Sequence, residues 1–340
     1  MMQRKHPVKE VLIIGHGIVG AVVARAFKAQ GCNVTVWDRD TNDSASKVAA
    51  GLITPITGKG MNPSARIEDF HEEAVDFFGD YYTETKIVRL FKDTKEAEKF
   101  RSKRDTSAAA RWVTQELPAE EAHPHYLNPC GGFEMHGGWV NTATFLEQSR
   151  HELIEQGAFN VRSCTEKDLP QLKREYDAVF LSRGAFEFLE NDAPYLHKTR
   201  SGTHRCAKGE ILTVCIPDLN ESRILNRNGW LMPYDLERHL YRAGATFEWD
   251  DLTVTPTAQG QSIIEEKIRS LIKHPFEIID HQAGIRPIAR NSQPFIEALG
   301  EHCWVVNGFG SKGTLYAPRA ARELVAHLCE GSVLDSWYQL

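Results

Sequence analysis

Gly15-His16-Gly17-Ile18-Val19-Gly20 stands between a short apolar run, Val11 to Ile14, and a helical pattern through Ala21, Val22, Ala24, Ala26 and Phe27. Eighteen residues beyond Gly20 an acid, Asp38, closes a second apolar run that begins at Val34, and Arg39 follows it. In this strand, turn, helix, strand context the first glycine permits a tight turn and the second lets a pyrophosphate approach the backbone. The third lets helix and strand pack closely. Amides at the helix start, around Gly17, Ile18 and Val19, then hold phosphates, and the Asp38 carboxylate binds ribose hydroxyls. An adenine dinucleotide is the implied ligand. Asp38 would repel the extra ribose phosphate of NADP, which leaves NAD and FAD.

The next segment separates those two. Ser44-Ala45-Ser46-Lys47-Val48-Ala49-Ala50-Gly51-Leu52-Ile53 departs from the regular strand and helix alternation that an NAD enzyme usually continues. Here the chain resembles the D-amino-acid oxidase and glycine oxidase superfamily of flavoproteins. The likeness rests on the glycine motif with Asp38, the Ser46 to Ile53 segment, Gly284-Ile285-Arg286-Pro287, and Gly308-Phe309-Gly310-Ser311-Lys312-Gly313 with Ala317-Pro318. Gly244-Ala245-Thr246 adds to it. These stretches follow in the family's order over nearly the whole chain.

The resemblance implies an α/β fold: a Rossmann-like FAD-binding domain with a parallel sheet, and an inserted substrate domain built on an antiparallel sheet. In that family the segment matching Ala50-Gly51-Leu52 runs past the flavin ring, where small residues let the backbone approach a flat ligand. Gly184, Gly308, Gly310, Ser311, Gly313 and Thr314 join the cofactor-binding residues. The last helix would aim its positive end at the pyrimidine side of the flavin, and Lys312 would add a full charge unless it is an ordinary solvated lysine. Arg286 matches the arginine that binds the substrate carboxylate, the alternative being a structural ion pair. Its planar fork can make two parallel hydrogen bonds and so fixes orientation. Trp230 matches an aromatic position beside the substrate, where glycine oxidase carries tyrosine. Indole donates one hydrogen bond and accepts none, which points away from glycine toward a different or larger amine; the alternative is a core tryptophan. No cysteine stands just beyond the Arg-Pro pair, where sarcosine oxidases attach flavin, so the FAD is expected to be non-covalent.

The expected reaction is hydride transfer from the Cα–H of a small amino acid or secondary amine to flavin N5, giving an imine that water hydrolyses. Arg286, Trp230 and Lys312 are the expected catalytic-site residues. Oxygen, giving hydrogen peroxide, or another acceptor takes the electrons. Rival readings are oxidation of a carboxymethylaminomethyl-type nucleoside in tRNA, since the closing glycine motif also resembles the oxidase domain of bifunctional tRNA-modifying enzymes, a non-catalytic FAD-binding sensor, and an NAD-dependent opine-type dehydrogenase.

Those residues need elements to position them. Ala178 to Leu181 reads as another buried strand, ending at Gly184, and Cys303 to Val306 as one that feeds the closing glycine motif, with a helix from Ala317 to Cys329. Strands with glycine turns at their carboxyl ends, far apart in sequence, suggest one parallel sheet interrupted by insertions. The FAD-binding domain is expected to comprise 1–82, 136–205 and 280–340, and the substrate domain 83–135 and 206–279. A charged helix from Asp93 to Trp112 and a loop-rich stretch from Pro118 to Gly138 fall in the first insertion. Strand-like pieces such as Ile211 to Val214 alternate with turns in the second.

Composition sets the limits. The 340 residues suit about two domains, and 40 Lys and Arg against 46 Asp and Glu give a net charge of −6, with no basic stripe for nucleic acid. Seven cysteines without a CxxC pair suit a reducing compartment. Arg4, Lys5 and Lys9 before an apolar run imitate a signal peptide, but the glycine motif explains that run better. With no apolar stretch of about 18 residues, no membrane contact and a cytoplasmic location are expected. His123, His125, Cys130 and His136 fit no common metal spacing, so no metal is expected. Homo-oligomerisation stays open.

Overall fold

The computed structural model describes residues 8–42, 44–58, 61–104, 109–190, 205–289 and 292–339. Two sheets dominate. The first has six strands in the spatial order Phe295–Ala298, Cys303–Asn307, Ala178–Leu181, Glu10–Ile14, Asn33–Asp38 and Phe159–Val161. All neighbours run parallel except the first pair, which is antiparallel. Within Glu10–Ile14 the alternation of a strand sends Val11 and Ile13 into one core and Leu12 and Ile14 into another. Both faces are thus covered, which explains why this strand reads as an unbroken apolar run. Helices Ile18–Ala29 and Gly313–Cys329 lie in the first core, and Leu169 and Leu172 of helix Leu169–Glu175 in the second.

Gly20 faces back onto the glycine turn. A Cβ there would stand 1.9 Å from the Gly15 carbonyl oxygen, so only glycine lets the helix start this close to the strand. Gly31 follows the helix at φ +85°, as expected of a residue that ends it.

The second sheet is ordered Glu277–Ile288, Arg205–Cys215, Leu240–Gly244, Trp230–Asp235, Ile224–Asn226, Tyr82–Leu90, Gly132–Val140 and Leu52–Ile53, with Val113–Leu117 also paired to Gly132–Val140. Its pairings are antiparallel apart from Ile224–Asn226 with Tyr82–Leu90. Helix Ala258–Leu271 covers one face through Ile264, Ile268 and Leu271.

Three expectations differ in detail. The stretch read as loop-rich to Gly138 contains the nine-residue strand Gly132–Val140. Its glycines serve packing: a Cβ on Gly137 would meet the Ile87 side chain at 2.4 Å and one on Gly138 would meet the Tyr82 ring at 2.5 Å or closer. The charged helix is described over Thr94–Arg104, and Ala110–Trp112 is a 3-10 turn where its continuation is expected. The last helix starts at Gly313, four residues earlier than expected, and carries Pro318 inside it. Strands Gly132–Val140 and Glu277–Ile288 each cross an expected domain limit, because one sheet takes pairs from both sides of it.

Candidate active site

The carboxyl ends of Glu10–Ile14, Asn33–Asp38, Ala178–Leu181 and Cys303–Asn307 open into a cavity of about 510 Å³ that continues between the two sheets to Arg286 and Trp230. Its place, outside the carboxyl ends of parallel strands, is where open α/β sheets bind ligands. Its volume is in the range of ligand cavities.

At one end lie Gly15, Gly17, Ile18 and Val19 with Asp38 and Arg39. Gly17 caps helix Ile18–Ala29 with no side-chain hydrogen bond, and the Ile18 amide donates to Ser46 Oγ at 3.0 Å. Asp38 accepts from the His16 amide at 2.5 Å and the Asp40 amide at 2.7 Å. The carboxylate therefore braces the turn, and each oxygen keeps further acceptor capacity. His16, a position that the motif leaves unspecified, is buried beside Phe159 and hydrogen-bonded to Ser149, and burial holds its pKa down at about 4. Arg39 pairs with Glu190 at 2.9 Å and lies over the Phe186 ring.

In the middle, Ala50, Gly51 and Leu52 form one wall, and Gly310, Ser311, Lys312, Gly313 and Thr314 form the facing one, with Gly184 nearby. Gly51 sits at φ +68°, and a Cβ would stand 2.0 Å from the Val140 carbonyl oxygen, so this approach is closed to other residues. Thr314 Oγ1 donates to the Gly51 carbonyl at 3.4 Å and joins the walls. The buried Arg242, which nothing in the sequence marks, donates to the Val48 carbonyl at 2.5 Å and the Ala49 carbonyl at 3.1 Å. It ties the second sheet to the small-residue turn. Lys312 is the N-cap residue of the last helix; its Nζ is 3.2 Å from Ser64 Oγ, and burial lowers its pKa. It is therefore a held lysine rather than a solvated one. Gly20 and Gly308 stand behind the wall: a Cβ on Gly308 would strike the Ala289 side chain at 2.5 Å.

At the far end Arg286 and Trp230 both line the cavity. Trp230 is half-buried, with its ring over Gly244. Arg286 donates to the Thr246 carbonyl at 3.3 Å, lies 5.1 Å from the Phe247 ring, and has no carboxylate within ion-pair distance among the described residues. Burial lowers its pKa to about 10, so it is a cation at neutral pH. The guanidinium lies across Gly209 of the neighbouring strand, where a Cβ would be 1.8 Å from Nη2. The strand Arg205–Cys215 contains no other glycine, and that is the one sequence signal that could have drawn attention to this position.

His123 stacks on Tyr126, whereas His136 lies beside Lys86 on another strand, and no group of metal ligands occurs among the described residues. Nor is any described helix long and apolar enough to cross a membrane.

Residues 10–327 match the family model for FAD dependent oxidoreductases, the D-amino-acid oxidase type. The chain belongs to that family, and FAD is its cofactor. The donor set fits the group: a helix start capped by glycine with no side-chain hydrogen bond, an acid at the next strand's end, and two narrow walls of small residues. The chain is similar in structure to glycine oxidase from Bacillus cereus (TM-score 0.73, 19% identity, 96% of each chain covered) and to iminodiacetate oxidase from Chelativorans sp. (TM-score 0.71, 18% identity, 96% of each chain). In sequence it is similar to the tRNA 5-methylaminomethyl-2-thiouridine biosynthesis bifunctional protein MnmC of Idiomarina loihiensis, 22% identical over 96% of this chain. The chain spans only about half the length of that relative, 56%.

Proposed function

We propose that this protein is an amine oxidoreductase whose substrate carries a carboxylate held by Arg286. The observation that carries the reading is the buried guanidinium on the cavity wall without a carboxylate partner among the described residues. An unpaired buried cation is costly, and a bidentate carboxylate would compensate it. FAD, held without a covalent bond at the turn and walls described above, supplies a two-electron acceptor when bound. The chain's own contribution is placement. Arg286 fixes the acid group, Trp230 bounds the substrate's other side with an indole N–H, and the walls around Gly51 and Gly313 keep the reacting carbon against a flat ring. No side-chain base is required, because a neutral amine releases hydride without one.

Adding a panel of carboxylated primary and secondary amines without oxygen should bleach the flavin absorbance with at least one of them. A protein that uses FAD only as a structural or sensing group would stay oxidised with every one. Lys312→Met should lower the flavin potential by tens of millivolts, since the held ammonium and the helix end both stabilise the charge added on reduction; about 30 mV corresponds to 1.4 kcal/mol for two electrons. Reductive titration against reference dyes checks it, and an unchanged potential would remove Lys312 from this role.

A second reading is favoured by the sequence relatives, whose name places them in tRNA 5-methylaminomethyl-2-thiouridine biosynthesis: this chain would oxidise a carboxymethylamino group on a tRNA base, which is chemically a secondary amino acid. The net charge of −6 argues against strong phosphate contact by this chain. Binding of tRNA that weakens steeply between low and physiological salt would support it.

A further inference from the structure

Arg286 leaves the other end of the substrate chamber unexplained. A row runs across the second sheet there, with Arg89 paired to Asn226, Asn226 to Trp230, Trp230 to Gly244 and Gly244 to Ile211. Arg89, Asn226, Trp230 and Ile211 all line the cavity. Arg89 Nη1 donates to Asn226 Oδ1 at 2.9 Å, while its Nη2 donates to Glu96 Oε1 at 2.7 Å. The other oxygen of Glu96 accepts from the Lys92 amide at 2.6 Å.

Two consequences follow from this chemistry. Arginine only donates, so the Asn226 oxygen must face Arg89 and its NH₂ group must face away. The Arg89 charge, nearly buried, is matched by an equally buried Glu96, with side-chain exposures of 10% and 13%. The end of the chamber therefore offers a neutral donor instead of a second cation. That NH₂ group makes no hydrogen bond to any described residue and is not sealed from the cavity.

We infer that Asn226 is a specificity-determining residue, oriented by Arg89 and Glu96, whose carboxamide N–H donates to a neutral carbonyl at the distal end of the substrate. The strand carrying Asn226 lies three strand positions from the one beneath the Arg286 guanidinium, roughly 14 Å along the sheet before its curl. Glycine cannot span that. The substrate class is an amino acid or N-carboxymethyl amine extended by several atoms to a carbonyl, such as an amide or a pyrimidine ring. This rests on the carboxylate anchor proposed for Arg286.

The test is a titration of the FAD-loaded protein with unreactive acids, read by the shift in flavin absorbance. Acetate reports the anchor, and heptanoate and 6-oxoheptanoate have the same length but only the second ends in an acceptor. The wild type should bind the keto acid three- to tenfold more tightly than heptanoate. Asn226→Asp keeps an oxygen for Arg89 and turns an acceptor toward the chamber, so the ratio should fall to one or below; Asn226→Ala should abolish the preference. A wild type without the preference, or a ratio unmoved in Asn226→Asp with heptanoate still bound, overturns the role of Asn226 alone. Failure of acetate itself to bind overturns the Arg286 anchor and the functional reading with it.

Discussion

Arg286→Met should lower kcat/KM for a carboxylated amine by a hundredfold to a thousandfold while the protein still folds and still takes up FAD. Methionine nearly fills the same volume but offers no donor, so a bound carboxylate would lose two charge-assisted hydrogen bonds in a buried site. Each is worth about 1.5–3 kcal/mol, and tenfold corresponds to about 1.4 kcal/mol. Folding should survive because Arg286 gives up only one long hydrogen bond, to the Thr246 carbonyl, and no ion pair among the described residues. Arg286→Lys should recover part of the loss, since it restores the charge without the fork. Steady-state kinetics on the three proteins, with FAD content measured alongside, decide it. A variant with unchanged KM and kcat would make Arg286 a structural residue. As burial sets the guanidinium pKa at about 10, acetate affinity of the wild type should hold through neutral pH and fall only as the pH rises through that value.

Gly209→Ala should produce much of the same functional loss by adding one methyl group to a residue that has no side chain of its own to offer a ligand. The new Cβ would lie 1.8 Å from Nη2 and 2.1 Å from Cζ of Arg286, far inside contact distance. The colliding atoms are the end of a flexible side chain, so the strand stays and the guanidinium moves. Alanine in a strand is no worse than glycine for the backbone, so the melting temperature should shift by a few degrees at most. Acetate should bind at least tenfold more weakly, since a displaced fork cannot keep both bonds. Thermal melting and the acetate-induced flavin shift, measured on the same sample, separate the two effects. Native acetate affinity in Gly209→Ala would mean that the guanidinium need not lie across that strand.

Much of this was legible in the residues. The apolar run from Val11 to Ile14, the glycine turn and Asp38 specify each other within one local unit, because turn geometry and helix start are short-range properties. The parallel sheet could be read from glycine turns at the carboxyl ends of strands near Leu181 and Val306. What stayed hidden depends on long-range pairing. Gly137 and Gly138 look like turn residues until Ile87 and Tyr82 are seen across from them. The role of Gly209 exists only because its strand pairs with the one that carries Arg286. Arg242 reaches backbone carbonyls almost two hundred positions earlier, and the Arg89–Asn226 contact joins strands more than a hundred apart. Spacing carries no trace of either.

The account stands most directly on a crystal structure of the FAD-loaded protein with acetate bound. It predicts the flavin ring between the Ala50–Leu52 turn and Gly310–Gly313, with both acetate oxygens on the Arg286 guanidinium beyond it. A ring placed elsewhere, or acetate bound away from Arg286, would contradict it.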